Sequence, residues 1–332
     1  MCLLAGVAGL CLAGCATKRS EKPAAPSATT PSRPSEPFPT VTLEQDYGTL
    51  GELVRRVGED VGGGLVLMHG LEPAPAPIIH LKNVPYAQLI SQITEETGQA
   101  AQQNPHYYFV YSPAPVYNSL LSQQLGPQLP EHYRALTVSA AFGGGTALYN
   151  VLATISRSLG VTLVADNVIS DAACGELTLP EAPLPDVLDA VFKSALLPPE
   201  AYQIEATEDY VLFLNARSPV LGPTLLNESA LSETQRQQLE KRVDLEVAGG
   251  PNGSTDELFT RGDVSLHEVL GALSTQCGMT VTCTPALVDF PVTWTVMHQV
   301  PMRVALDLLI RQWPVAQFGY EVTEAGILIR ER

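Results

Sequence analysis

Leu266-His267-Glu268-Val269-Leu270-Gly271-Ala272-Leu273-Ser274-Thr275-Gln276-Cys277-Gly278 places apolar residues at 266, 269, 270, 273 and 277. These offsets form one face of a three-turn helix. Gly278 follows where a helix C-terminus favours a residue tolerant of positive φ. Thirty-six residues after Leu266 a second face begins at Met302, with Ala305, Leu306, Leu309 and Trp313 at the same offsets and Pro301 in front. The spacing recurs twice upstream. Leu148, Val151, Leu152, Ile155 and Leu159 are closed by Gly160, and Pro183 precedes Leu184, Val187, Leu188, Val191 and Ala195. Leu50, Leu53, Val54, Val57 and Val61 are closed by Gly62, and Pro85 precedes Tyr86, Leu89, Ile90, Ile93 and Thr97. Three copies in one register predict three repeats of one small module.

Strands fit around these helices. Val41–Glu44, Leu65–Met68, Ile78–Leu81 and Tyr107–Tyr111 serve the first module. Leu136–Val138, Val161–Val164, Glu176–Leu179 and the hairpin 202–214 serve the second. Thr280–Thr282, Trp294–Met297 and the hairpin 320–329 serve the third. The fold class expected is α+β, as three βαββαβ modules in tandem at 41–113, 136–216 and 257–332. Residues 114–135 are expected to link the first two. Residues 217–256 are expected to link the last two through a polar helix running from Ser232 past Gln235 and Leu239 to Val243, then the breaker Gly249–Gly253.

The first forty residues differ in kind. Leu3 to Ala13 is an uncharged apolar run of eleven residues, too short to span a bilayer and suited to a signal peptide. Leu12-Ala13-Gly14-Cys15 resembles the lipobox of bacterial lipoproteins. That resemblance implies a signal peptide over 1–14, acylation of Cys15 and, with Ala16 next, retention at the outer membrane on its periplasmic face. No Lys or Arg precedes the apolar run, so the translation start is expected upstream. Residues 15–40 are rich in Pro, Ser, Ala and Thr and read as a tether.

The strand–helix–Gly–strand and strand–Pro–helix steps, with Val84-Pro85, Ala182-Pro183 and Val300-Pro301 at the latter, resemble the secretin and TonB-receptor N-terminal short domain. In that family such domains dock protein partners in the periplasm. No barrel- or plug-sized segment accompanies the modules here. The resemblance therefore implies a membrane-anchored adaptor, with a secretin or pilus component as partner. A cell-wall or polysaccharide-binding lipoprotein is the alternative.

Chemistry-bearing motifs are sparse. The six histidines stand singly without ligand spacing, and Glu95-Glu96 reads as a solvated helix end. Gly143-Gly144-Gly145 precedes a helix but lacks the Lys and Ser/Thr of a phosphate loop. Arg261-Gly262-Asp263 reads as a turn. Neither an enzyme, a cofactor nor a metal site is expected. Net charge is −16, from 19 basic and 35 acidic residues, which sets nucleic acid aside as a partner. Cys277 and Cys283 lie roughly 16 Å apart if the intervening chain is extended, beyond disulfide reach, so Cys283 reads as a core thiol and Cys174 is left over. The aromatic run Tyr107, Tyr108 and Phe109, with Tyr111, is the one candidate interaction site. It is expected either to close the sheet with one buried face or, as an edge strand, to pair with a partner's strand.

Overall fold

The computed structural model describes residues 38–114, 117–218, 223–247, 264–313 and 317–332. The signal segment, Cys15, most of the tether, Gly249–Gly253 and Arg261–Asp263 lie outside them. The described chain mixes helices with several small sheets.

In chain order the N-terminal third holds β1 (Thr40–Leu43), α1 (Leu50–Val61), β2 (Leu65–Leu67), β3 (Leu81–Pro85), α2 (Tyr86–Thr97), β4 (Ala100–Gln103) and β5 (Tyr108–Tyr111). Two short helices, α3 (Asn118–Leu121) and α4 (Glu131–Arg134), lead to the middle third. There follow β6 (Thr137–Phe142), α5 (Leu148–Leu159), β7 (Leu163–Ala165), β8 (Leu177–Pro183), α6 (Leu184–Ser194), β9 (Tyr202–Ala206) and β10 (Val211–Asn215). The last third holds α7 (Glu233–Leu239), β11 (Arg242–Val247), β12 (Val264–Ser265), α8 (Leu266–Cys277), β13 (Val281–Cys283), β14 (Pro291–Val292), β15 (Thr295–Pro301), α9 (Met302–Arg311), β16 (Phe318–Thr323) and β17 (Gly326–Glu331).

One pairing scheme occurs in each third. The first strand runs antiparallel to the strand before the second helix, and its register starts against a proline: Thr40 with Pro85, Thr137 with Pro183, Arg242 with Pro301. Each pair then shifts register at the same place, after Val41, Val138 and Val243. Proline suits that position because it cannot extend a ladder and its fixed φ, −55 to −57° here, is ready for a helix. A three-stranded sheet completes each scheme. Its centre is β5, β10 or β17, parallel to β2, β7 or β13 and antiparallel to β4, β9 or β16.

Four expectations need correction. The first strand of the last scheme is β11, inside the stretch read as a linker: the helix starting after Ser232 stops at Leu239, and Val243 lies in a strand. Sixteen residues between β11 and β12 fall outside the described structure, and this insertion hid the strand. The stretch 114–135 is no free linker, since Leu120, Leu125, Leu129 and Tyr133 are buried in the middle core. The N-terminal third ends in a hairpin, β4 with β5, although Ala100–Gln103 carries none of the β-branched residues that mark strands. Its middle strand begins at Leu81, so Ile78–His80 is extended chain outside any ladder.

The thirds join by sharing sheets. Leu65, Leu67, Tyr108 and Val110 point into the core with α1 and α2. Their strand neighbours Val66, Met68, Tyr107 and Phe109 point the other way, into the core of α5 and α6. The next sheet repeats this: Leu163, Ala165, Val211 and Phe213 belong to the middle core, while Val164, Tyr210 and Leu212 belong to the core of α8 and α9. Each such side chain stabilises the union by about 1.5–3 kcal/mol. On β13 and β17 the corresponding outer face carries Thr282, Leu328 and Arg330, with Arg330 paired to Glu321 at 3.1 Å, and is polar rather than apolar.

Candidate functional site

A cavity and a buried polar cluster lie where the N-terminal and middle thirds meet. Here β2 and β8 pair, Leu65 with Thr178 and Val66 with Leu177, so five strands run in the order β4-β5-β2-β8-β6. Two glycines permit the approach. A Cβ on Gly58 of α1 would overlap the Thr178 side chain, and one on Gly175 would overlap the Leu67 carbonyl oxygen. With neither present, Leu67 N–H donates to the Glu176 carbonyl at 2.8 Å and His69 N–H to the Ser194 carbonyl at 2.8 Å.

A cavity of about 400 Å³ opens beside this seam, lined by Thr49, Gly51, Glu52, Arg55, Arg56, Glu72, Gly143, Gly144 and Glu176. Arg55 donates through Nε and Nη2 to the two oxygens of buried Glu176 at 2.9 and 3.2 Å, and Gly144 N–H donates to the same carboxylate at 2.9 Å. That hydrogen bond and charge hold the Arg55 pKa above its ordinary value. The triple-glycine turn therefore serves a carboxylate of this chain, because its Gly144 N–H is already taken. Glu72 is likewise engaged, accepting from Gly70 N–H at 2.7 Å and lying 3.3 Å from His69 Nδ1. Thr49 accepts from Glu52 N–H at 3.2 Å as expected of a cap, while Glu52 reaches Gly48 N–H rather than Thr49's own.

On the other side of the seam lies a buried polar cluster that sequence reading missed. Lys193 of α6 is 1% exposed. Its Nζ donates to Asn104 Oδ1 at 3.1 Å and stands 5.8 Å from the Tyr107 ring centroid. One turn earlier Asp189 accepts from Leu125 N–H at 3.0 Å, tying the 117–134 segment to α6. Burial pushes the Asp189 carboxyl up to about 7, against the pull of Lys193, and pulls Lys193 down. His106 Nδ1 lies 2.5 Å from Asp186 nearby. An acid and a base four residues apart, Asp189 and Lys193, on a helix that is apolar apart from these, Asp186 and Ser194 were the available signal.

The aromatic run does not form an edge. Its strand β5 is paired on both sides, to β4 and β2, and Tyr107, Tyr108 and Phe109 are buried. Successive rings serve opposite cores. Tyr108 meets Phe38 and Tyr86 at centroid distances of 4.9 and 5.7 Å, whereas Tyr107 and Phe109 enter the middle core. Tyr111, half-buried, stacks on Phe109 at 5.6 Å. The reading as a partner-binding edge is thus overturned, because the missed strand β4 covers the side it needed.

The remaining candidates are dispersed. His80, His132 and His298 each face one carboxylate, Asp46 at 3.4 Å, Glu208 at 3.2 Å and Asp244 at 3.0 Å. Among the described residues no group of three or more His, Cys, Asp and Glu side chains is placed to hold a metal ion. Cys174, Cys277 and Cys283 are free thiols; Cys174 and Cys277 are buried, Cys283 half-buried, and burial pushes Cys174 up to about 12. No described helix is long and apolar enough to cross a membrane. No family model, curated protein or solved structure matches this chain.

Proposed function

We propose that the three thirds are tandem copies of one small module similar to the secretin and TonB-receptor N-terminal short domain, and that the chain is a protein-binding adaptor. In this reading Cys15 carries lipid that holds the chain at the periplasmic face of the outer membrane, and the modules dock a secretin or pilus component of the envelope. The chain acts by binding rather than by catalysis. One observation supports it above others: the module twice accepts a neighbour's three-stranded sheet onto its helix pair, α6 taking Val66, Tyr107 and Phe109 and α9 taking Val164, Tyr210 and Leu212. A fold that recognises folded protein within its own chain has the surface chemistry to recognise it in another.

The test is a pull-down from detergent-solubilised envelopes with acylated chain as bait and residues 40–332 as the anchor-free control. Enrichment of the same secretin or pilus component by both baits is expected. Co-sedimentation of the anchor-free chain with isolated cell wall, without such enrichment, would replace the adaptor reading with a wall-binding one.

A further inference from the structure

We infer that Ile78–Lys82, the open side of the β1–β3 pair, is a docking edge for a single extended segment of a partner protein. The inference rests on the adaptor reading and assigns it a site. Within the chain the positions equivalent to Ile78, Ile79 and His80, counted back from the proline that starts the second helix, are Glu176, Leu177 and Thr178. Those residues are where β2 pairs with β8, through the Leu67 N–H to Glu176 carbonyl bond and the Leu65–Thr178 and Val66–Leu177 register. In the N-terminal third β1 covers one side of β3, and among the described residues no strand pairs with the other. Ile78 is 77% exposed, the most exposed large hydrophobic side chain described, while Ile79 beside it is buried. Ile78, His80 and Lys82 therefore share the outward face by strand alternation. Lys82 is exposed and has no ion-pair partner among the described residues of an acidic chain.

The occupant is a lone strand because a module cannot fit. Pro77 stands where Gly175 stands in the middle third, and at Gly175 even a Cβ would overlap the incoming backbone. A second copy docking head to tail is excluded also by its own surface. Pro285 takes the position of His69 and Asn167, whose N–H groups cross the two internal seams, and proline has none to give. Gly326 takes the position of Tyr107 and Tyr210. A segment that stops short of Pro77 can accept the His80 N–H, donate to the Ile78 carbonyl, cover Ile78 with an apolar side chain and present an acidic one to Lys82.

The experiment places a photoreactive benzophenone side chain at position 78 of the full-length lipoprotein in cells that make it, with position 168 (Val168, 52% exposed) as the control. The expected result is an adduct with another polypeptide at 78 and not at 168, joined through a segment carrying apolar and acidic residues four apart, as Ile78 and Lys82 are. The partner so identified is then titrated against anchor-free wild type, Ile78→Lys and His80→Pro, each checked for unchanged thermal unfolding. Each variant is expected to bind about tenfold more weakly, the worth of one hydrogen bond or apolar contact. An adduct only with a second copy, or equal binding by both variants, overturns the edge while a partner enriched by the wild-type bait keeps the adaptor reading. No enrichment by any bait removes both.

Discussion

The two internal seams occupy equivalent places and are built differently. At the first, Gly58 and Gly175 let β2 and β8 close into a hydrogen-bonded sheet. At the second, the ninth residue of the helix is Ser156 instead of Gly58, and Thr293 stands eight residues before the proline instead of Gly175. There β7 and β15 form no ladder. Contact is made by His298 N–H to Thr162 Oγ1 at 2.9 Å, by Arg157 to Glu246 at 2.6 Å and by the retained backbone bond from Asn167 to Gln312 at 2.8 Å. Where Gly51 and Glu176 flank the first seam's cavity, Tyr149 and Trp294 meet ring to ring at 5.7 Å. The seam that lacks a Cβ on each side carries a backbone ladder, and the seam that has both is held by side chains and, among the described residues, a single backbone bond.

The largest expected effect breaks the first seam by giving it the second's residue. Gly175→Thr forces a Cβ into the Leu67 carbonyl and is expected to cost about 3 kcal/mol, the upper range of overpacking. Chemical denaturation measures it. A loss under about 1 kcal/mol would mean that the apolar face of β2 and β5, rather than the ladder, holds the thirds together.

The cations at equivalent places on α6 and α9, Lys193 buried and Arg311 half-buried, sharpen the contrast. Arg311 of α9 corresponds to Lys193 and Asp307 to Asp189. Arg311 binds both oxygens of Glu205 at 2.7 and 2.5 Å, Thr224 donates to Asp307 at 2.5 Å, and Tyr210 donates to Glu205. Arg311→Met strands two carboxylates and is expected to cost about 2–3 kcal/mol. Lys193→Met is expected to cost about 1 kcal/mol or less, since an apolar chain of similar length replaces a charge whose one hydrogen bond is to a neutral amide. Equal losses would show that Lys193 and Asp189 work as an ion pair in the fold.

The same groups set opposite pH dependences. Asp189 is raised by burial to about 7 from an ordinary 3.8, so folding favours its protonated form. Its contribution is whole below 3.8 and is lost as pH climbs through about 7. Asp186, His106 and Lys193 face this region, and the penalty on buried Lys193 is relieved only as pH rises towards 10.5. Glu205 is held below its ordinary 4.5, first by Arg311. Its contribution is whole above 4.5 and is lost as pH falls through its folded value. Protection against amide exchange, corrected for the intrinsic pH dependence of exchange, should therefore fall at Leu125 as pH rises through about 7 and at β9 as pH falls below 4.5. Asp189→Asn should flatten the first trend and Glu205→Gln the second.

The six paired helices, α1, α2, α5, α6, α8 and α9, were legible in the sequence because a 3.6-residue period survives in each one. The joints were not. Gly58 and Gly175 look like ordinary glycines until a neighbouring backbone is set against them. Strand β11 alternates cleanly, with Val243, Leu245 and Val247 buried, but an insertion separates it from its helix. The run Tyr107–Tyr111 read as unusual because it serves two cores at once, a demand that single-faced strand patterns do not make. Lys193 and Asp189 sat among apolar neighbours on α6, all of whose residues but Asp186 are buried, and the apolar period alone said nothing of them.

Thr293→Gly makes the smallest change and tests the rule from the other side. It removes the hydrogen bond between Thr293 and Asn167 and adds backbone freedom, together costing about 1–2 kcal/mol. If the Cβ at this position is what keeps β7 from β15, the strands can close and the Ala165 N–H, the counterpart of Leu67 N–H, gains the Trp294 carbonyl as acceptor. The new bond offsets part of the loss, so net stability should fall by less than about 1 kcal/mol. Amide exchange at Ala165 should slow by about tenfold. Unchanged exchange there with the full loss of stability would place the barrier at Ser156 and Trp294, and the ladder at the first seam would then depend on Gly58 more than on Gly175.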